Sequence, residues 1–233
     1  MFTDDIPWDI QTGFSEAPIK DSFYVFSVDM AASEDETSCT CLRYNIKSLT
    51  QNKTLISLPH KVAYHRFWKG KSLPLSLQYE IIKQDYLVFK KVSPMRTRFV
   101  YDAGSLGGKN AGQAFSVLNG LPFPPKGRSY VDVKAEGMGK VKEVLSKNRD
   151  FIINEKGERV DKNPDWGGVR ASSKLIELRR QMEIASKDDD KLKNDQYTSF
   201  MQAIHFAEVR TPRPGVHNKA VDFNYNRGTL GRG

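Results

Sequence analysis

Cysteine is nearly absent from this chain. Cys39 and Cys41 are the only two among 233 residues, which excludes a disulfide framework and predicts a reducing setting, the cytoplasm or a particle such as a virion assembled in one. Long apolar runs are missing as well. No stretch approaches the roughly 18 consecutive apolar residues of a membrane span, so no membrane partner is expected. The opening residues Met1-Phe2-Thr3-Asp4-Asp5 carry neither the basic nor the apolar region of a secretory signal. Complete catalytic signatures are also missing: there is no nucleophile elbow, no HExxH and no kinase set.

The most informative scarcity is of acid in one stretch. Residues 43–98 hold twelve Lys or Arg and only two acids, Glu80 and Asp85. Residues 1–42 are the reverse, with nine acids and one base, Lys20. The whole chain is +8. Such a layout predicts charged partners, or copies of the same chain docking acidic face to basic face.

Five segments follow from the pattern. Residues 1–21 read as an arm, broken by Pro7, Gly13 and Pro18 but carrying Phe2, Ile6, Trp8 and Phe14. Residues 22–102 read as an antiparallel β domain, because Phe23 to Val28 is aromatic and β-branched and residues 38–47 alternate. Further strands are expected at 54–58, 62–68, 75–82, 86–92 and 96–101. Residues 103–170 read as an irregular Gly/Pro-rich segment with a small hairpin flanking Asn154 to Glu158. Residues 171–210 read as a helical hairpin, with Leu175, Leu178 and Met182 on one stripe and Tyr197, Phe200, Met201 and Ile204 on the other. Residues 211–233 read as an extended basic tail.

Three motifs bear on chemistry. Gly104-Ser105-Leu106-Gly107-Gly108-Lys109-Asn110 resembles a phosphate loop but is one residue short, and Asn110 stands where the Mg²⁺-binding hydroxyl belongs; a flexible loop is the simpler reading. Cys39, Cys41, His60 and His65 are the weak zinc candidates, although Cys-x-Cys is tighter than the usual knuckle and free cysteines are mostly buried hydrophobes; no metal and no cofactor are assigned. Asp188-Asp189-Asp190 reads as a helix start, since adjacent helical positions point different ways.

The basic block is the strongest signal, because its cations are interleaved with aromatics. On a sheet, aromatics stack bases while Lys and Arg follow phosphates. The residues assigned to nucleic-acid or acidic-partner binding are Arg43, Lys61, Tyr64, Arg66, Trp68, Lys69, Lys71, Lys90, Lys91, Arg96 and Arg98. In the tail, Arg213, Phe223, Tyr225, Arg227 and Arg232 are assigned to assembly.

The fold expected is α+β: an N-terminal antiparallel β-barrel or sandwich, an irregular middle, two C-terminal helices and an extended tail. The function expected is a non-catalytic structural or assembly subunit of a large complex, such as a virion protein. It would dock on other subunits through charged surfaces and terminal arms as a homo-oligomer or multi-protein particle. The second reading is a sequence-nonspecific single-stranded nucleic-acid-binding protein using the basic, aromatic β surface.

Overall fold

A computed structural model of the chain describes residues 11–31, 34–44, 48–49, 55–56, 60–104, 112, 114–146, 151–153, 155–156, 159–161, 168–172, 174–185 and 195–209. The tail assigned to assembly from the sequence, Asp188 to Asp190 and most of the glycine-rich loop after Gly104 lie outside these residues.

In chain order the elements are β1 (Gln11–Ser15), β2 (Phe23–Asp29), β3 (Glu36–Tyr44), β4 (Ser48–Leu49), β5 (Leu55–Ile56), β6 (His60–Lys69), α1 (Leu75–Val92), β7 (Thr97–Asp102), β8 (Leu121–Phe123), α2 (Tyr130–Ser146), β9 (Phe151–Ile153), β10 (Arg159–Asp161), β11 (Val169–Arg170), α3 (Ile176–Ala185) and α4 (Asp195–Val209). The main sheet runs β1-β6-β3-β2-β7-β8, and β11 also pairs with β6. β2, β3 and β6 form an antiparallel meander that β1 extends. β7 joins β2 in parallel, β8 joins β7 in parallel, and β11 runs parallel to β6. The sheet is therefore mixed and open, with helices on both faces.

This corrects the expected antiparallel barrel or sandwich. The cause is α1. Residues 75–82 and 86–92 are one helix, not two strands. Leu75, Leu77, Tyr79 and Ile81 alternate with polar residues and mimic a strand. The positions buried are instead Gln78, Ile81, Ile82, Asp85, Tyr86 and Phe89, the three- and four-residue spacing of a helix face. Pro74 precedes its first turn, and Lys90 and Lys91 complement the negative end of its dipole. A helix here supplies the crossover that two parallel strands need and a hairpin cannot give, so β7 returns beside β2 in the same direction.

Two cores sandwich the sheet. On one face α1 packs Ile82, Tyr86 and Phe89 against Tyr24, Phe26, Cys41, Tyr64 and Phe99. Phe26 sits at its centre, its ring 5.4 Å from Tyr64 and 6.0 Å from Phe99. On the other face α2, α3 and α4 pack Val133, Val141, Leu178, Phe200 and Ile204 against Val25, Leu42, Val62 and Val100. The helix α2 falls in the segment expected to be irregular. Its Gly137 and Gly139 argue against a helix by propensity, but Gly137 is where α4 comes closest: a Cβ there would lie 2.2 Å from Met201 Sδ. Each aromatic buried this way contributes on the order of 2 kcal/mol.

Candidate active site

Strand alternation determines which side chains share a face. In β2, Val25 packs on the α2–α4 side, and Ser27 donates to Gln202 Oε1 of α4 at 3.0 Å. Asp29, two residues on, therefore points to the same side. In β7, Val100 packs on that side, so Asp102 does too. The parallel register sets Val28 against Tyr101. Asp29 and Asp102 thus end two adjacent strands at the same end and on the same face. Chain direction also reverses here: from β2 the strands build one way to β3 and β6, then α1 carries the chain back to β7 on the other side. The crevice outside the carboxyl ends of parallel strands at such a switch point is where open α/β sheets bind ligands.

A third carboxylate arrives from α4. The register sets Asp29 opposite Ser38 of β3. Ser38 Oγ donates to the Asp195 carbonyl at 2.8 Å, and the Glu36 N–H donates to Asp195 Oδ2 at 3.0 Å. The first residue of α4 is thereby held beside the end of β2.

A polar seam keeps the first turn of α4 in place. Gln196 Nε2 donates to Glu36 Oε2 at 3.0 Å, which orients the amide so that its Oε1 faces His65 Nε2, also at 3.0 Å. Nε2 must therefore carry the proton. His65 Nδ1 then accepts from Thr40 Oγ1 at 3.0 Å, and Thr40 meets Ser199 at 2.8 Å. Burial holds the His65 pKa down to about 4, partly opposed by the Gln196 hydrogen bond, so the ring is neutral near pH 7.

Asp102 is clamped from two sides. The Gly104 N–H donates to its Oδ1 at 2.6 Å, and the Tyr130 hydroxyl of α2 donates to its Oδ2 at 3.3 Å. Burial, and then the charges of Asp102 and Asp29, push the Tyr130 phenol well above its ordinary pKa. Asp29 itself is raised well above the ordinary carboxylate range. Burial is the largest cause, followed by Asp102 and Asp195, and Lys134 of α2 opposes the shift. Three acids are thus stored at one sheet end with less positive charge than they need.

That donor set suits a hard divalent cation. Among the described residues no three His, Cys, Asp or Glu side chains converge on one ion-sized point. Mg²⁺ asks for less, since it keeps several waters and takes one or two carboxylates, with substrate phosphate completing its shell. Asp29 and Asp102 would supply that pair, with Asp195 beside them.

None of these three aspartates was among the residues singled out from the sequence. A readable trace existed: two aromatic, β-branched strands, Phe23 to Val28 and Phe99 to Tyr101, are each closed by an aspartate.

The basic, aromatic surface expected from residues 43–98 does not form. Tyr64 and Trp68 are buried in the core under α1. Arg66 is 1% exposed and ion-paired with Asp85 at 3.3 Å. These three cannot stack bases or follow phosphates, because the sheet face they occupy is covered. Arg43 and Lys61 pair with Glu16 at 3.6 and 2.5 Å. Lys90 is half-buried and donates to the Thr97 carbonyl. Lys91, Arg96 and Arg98 are exposed around the start of β7, away from the carboxylates. Arg96 lies 5.0 Å over the Phe23 ring, and Arg98 donates to the Met95 carbonyl. Lys69 and Lys71 are exposed at the carboxylate end, with Lys71 paired to Glu34. The candidates are scattered over both ends of the sheet.

The zinc candidates separate too. Cys39 and Cys41 face α1, where burial pushes both thiols up. His65 faces α4, and His60 Nε2 lies 2.7 Å from Glu208 Oε1. The sheet stands between the two pairs.

No family model matches the chain. No curated protein matches it either. Among solved structures, the chain is similar to the large terminase nuclease from thermophilic phage G20c with bound magnesium, at 15% identity and a TM-score of 0.43, covering 81% of this chain and 84% of that one. A second structure of the large terminase nuclease from the same phage gives 13% identity and a TM-score of 0.43, covering 84% of this chain and 94% of that one. The expectation of a non-catalytic structural subunit is corrected by the site itself, where three aspartates are gathered at a sheet end suited to ligand binding. Among the described residues no helix is long and apolar enough to cross a membrane.

Proposed function

We propose that this chain is an enzyme, a divalent-cation-dependent nuclease that hydrolyses phosphodiester bonds in nucleic acid. The observation that carries the reading is the placement of Asp29, Asp102 and Asp195, from two parallel strands and a helix N-terminus, at one end of the sheet, with Asp29 held unusually basic by burial and then by its two neighbours. A bound Mg²⁺ or Mn²⁺ supplies Lewis acidity to a phosphoryl oxygen and makes a bound water more acidic. The chain's own residues do the rest. Asp29 and Asp102 would hold the cation, and Asp195 would add negative charge beside them. Lys134 and Lys69 place positive charge at the same end, to meet the phosphate backbone.

Nucleic acid is then the substrate, and a multi-protein assembly that handles it is the natural setting. The phage nucleases named above accord with that setting, but the reading stands on the carboxylates. The test is incubation of supercoiled plasmid and of single strands with purified protein and Mg²⁺ or Mn²⁺. Cleavage is expected to stop with a chelator and to fall at least about 100-fold in Asp29→Asn and Asp102→Asn. Wild-type rates in both variants would refute the assignment.

A further inference from the structure

We infer that Tyr130 is a positioning residue for this site, its hydroxyl fixing the Asp102 carboxylate in the orientation that meets the cation. The inference rests on the nuclease reading and deepens it. Each Asp102 oxygen accepts a hydrogen bond, Oδ1 from the Gly104 N–H at 2.6 Å and Oδ2 from the Tyr130 hydroxyl at 3.3 Å. Together they stop the carboxylate turning about its last bond.

The tyrosine is itself held. Tyr130 is the first residue of α2, so the start of the helix sets its height against the sheet end. The Phe123 ring meets it edge-on at 6.3 Å between centroids. Gly104 lies close against the ring: a Cβ there would fall 3.1 and 3.2 Å from Tyr130 Cδ2 and Cε2. Glycine therefore lets the loop after β7 touch the ring and donate to Asp102 at once. The phenol is placed on rigid elements and aimed at one carboxylate oxygen, as outer partners of metal ligands are.

The experiment compares wild type and Tyr130→Phe, which keeps the ring and deletes the hydroxyl. Mg²⁺ binding is read by calorimetry, and thermal unfolding is read in a chelator. The expected result is about tenfold weaker Mg²⁺ binding, with a melting temperature within about 2 °C of wild type. A ring that only packs would leave Mg²⁺ affinity unchanged. Gly104→Ala gives a second route: its Cβ would lie 3.1 Å from Tyr130 Cδ2 and 3.2 Å from Asp102 Oδ1, so it disturbs the same clamp from the loop side and is also expected to weaken Mg²⁺ binding. Wild-type affinity in both variants overturns the inference alone. A wild-type chain that neither binds Mg²⁺ nor cleaves overturns the nuclease reading and this inference with it.

Discussion

Replacing Asp29 by Asn should make the protein more stable and inactive at once. In the native state the Asp29 carboxyl holds its proton more tightly than in the unfolded chain, chiefly through burial and then through Asp102 and Asp195. The sign follows from linkage. An acid whose native pKa is raised loses stability as pH climbs from its unfolded value, near 3.9, through the native one. The cost is therefore carried at every pH above the unfolded value. Asn cannot ionise, so the cost disappears while the shape is kept. Relief of a charge cluster at a functional site contributes roughly 1–2 kcal/mol, which for a chain of this size raises Tm by roughly 2–8 °C. Mg²⁺ should reverse the order. At 100 times its dissociation constant a ligand stabilises the native state by about 2.7 kcal/mol, and only wild type has the full site to collect it. Thermal melts at pH 7, with chelator and with saturating Mg²⁺, are therefore expected to cross: the variant melts higher without metal, and wild type melts higher with it. A variant less stable than wild type in chelator would refute the charge argument. Equal Mg²⁺ stabilisation of both would refute the place of Asp29 in the site.

Other parts of the structure give sharp expectations. His65, buried and neutral with a pKa near 4, should cost stability as pH falls from 6.5 toward 4, by roughly 3 kcal/mol in all; denaturant melts of His65→Gln across that range should show a shallower slope, and an unchanged slope would count against it. Gly137→Val should destabilise by about 1–3 kcal/mol by driving a side chain into Met201, whereas Gly139→Ala, with open space around it, should gain about 0.5–1 kcal/mol; urea midpoints of the pair test the α2–α4 contact. Arg66→Met should cost about 3–5 kcal/mol, because the Asp85 carboxyl on the buried face of α1 loses its ion-pair partner; the loss should shrink in Arg66→Met/Asp85→Asn, as a double-mutant cycle would read.

The central strands were legible because they obey local rules. Phe23 to Val28 and residues 62–68 and 96–101 are rich in aromatic and β-branched residues and form the heart of the sheet. The crossover was not legible, because Leu75 to Ile82 satisfies both the two-residue and the three-to-four-residue period over its short length, and packing against Phe26 and Phe99 decides between them. The helix α2 was hidden by two glycines, one of which serves a contact with a residue 64 positions away. The charge block misled for a related reason. Arg66 counts as a surface cation in a tally, yet in the fold it is an interior one. The three aspartates are far apart in sequence and each has an ordinary local explanation, a strand end or a helix start. Only the register of β2 against β7, and Ser38 holding α4, bring them together.

The central claim, that these aspartates hold a catalytic cation, is tested most directly by Mn²⁺ soaked into crystals of the wild-type chain and located by its anomalous signal. The account predicts a peak in contact with carboxylate oxygens of both Asp29 and Asp102, lost in crystals of Asp29→Asn. Mn²⁺ bound elsewhere, with ordered and metal-free Asp29 and Asp102 at saturating concentration, would contradict it.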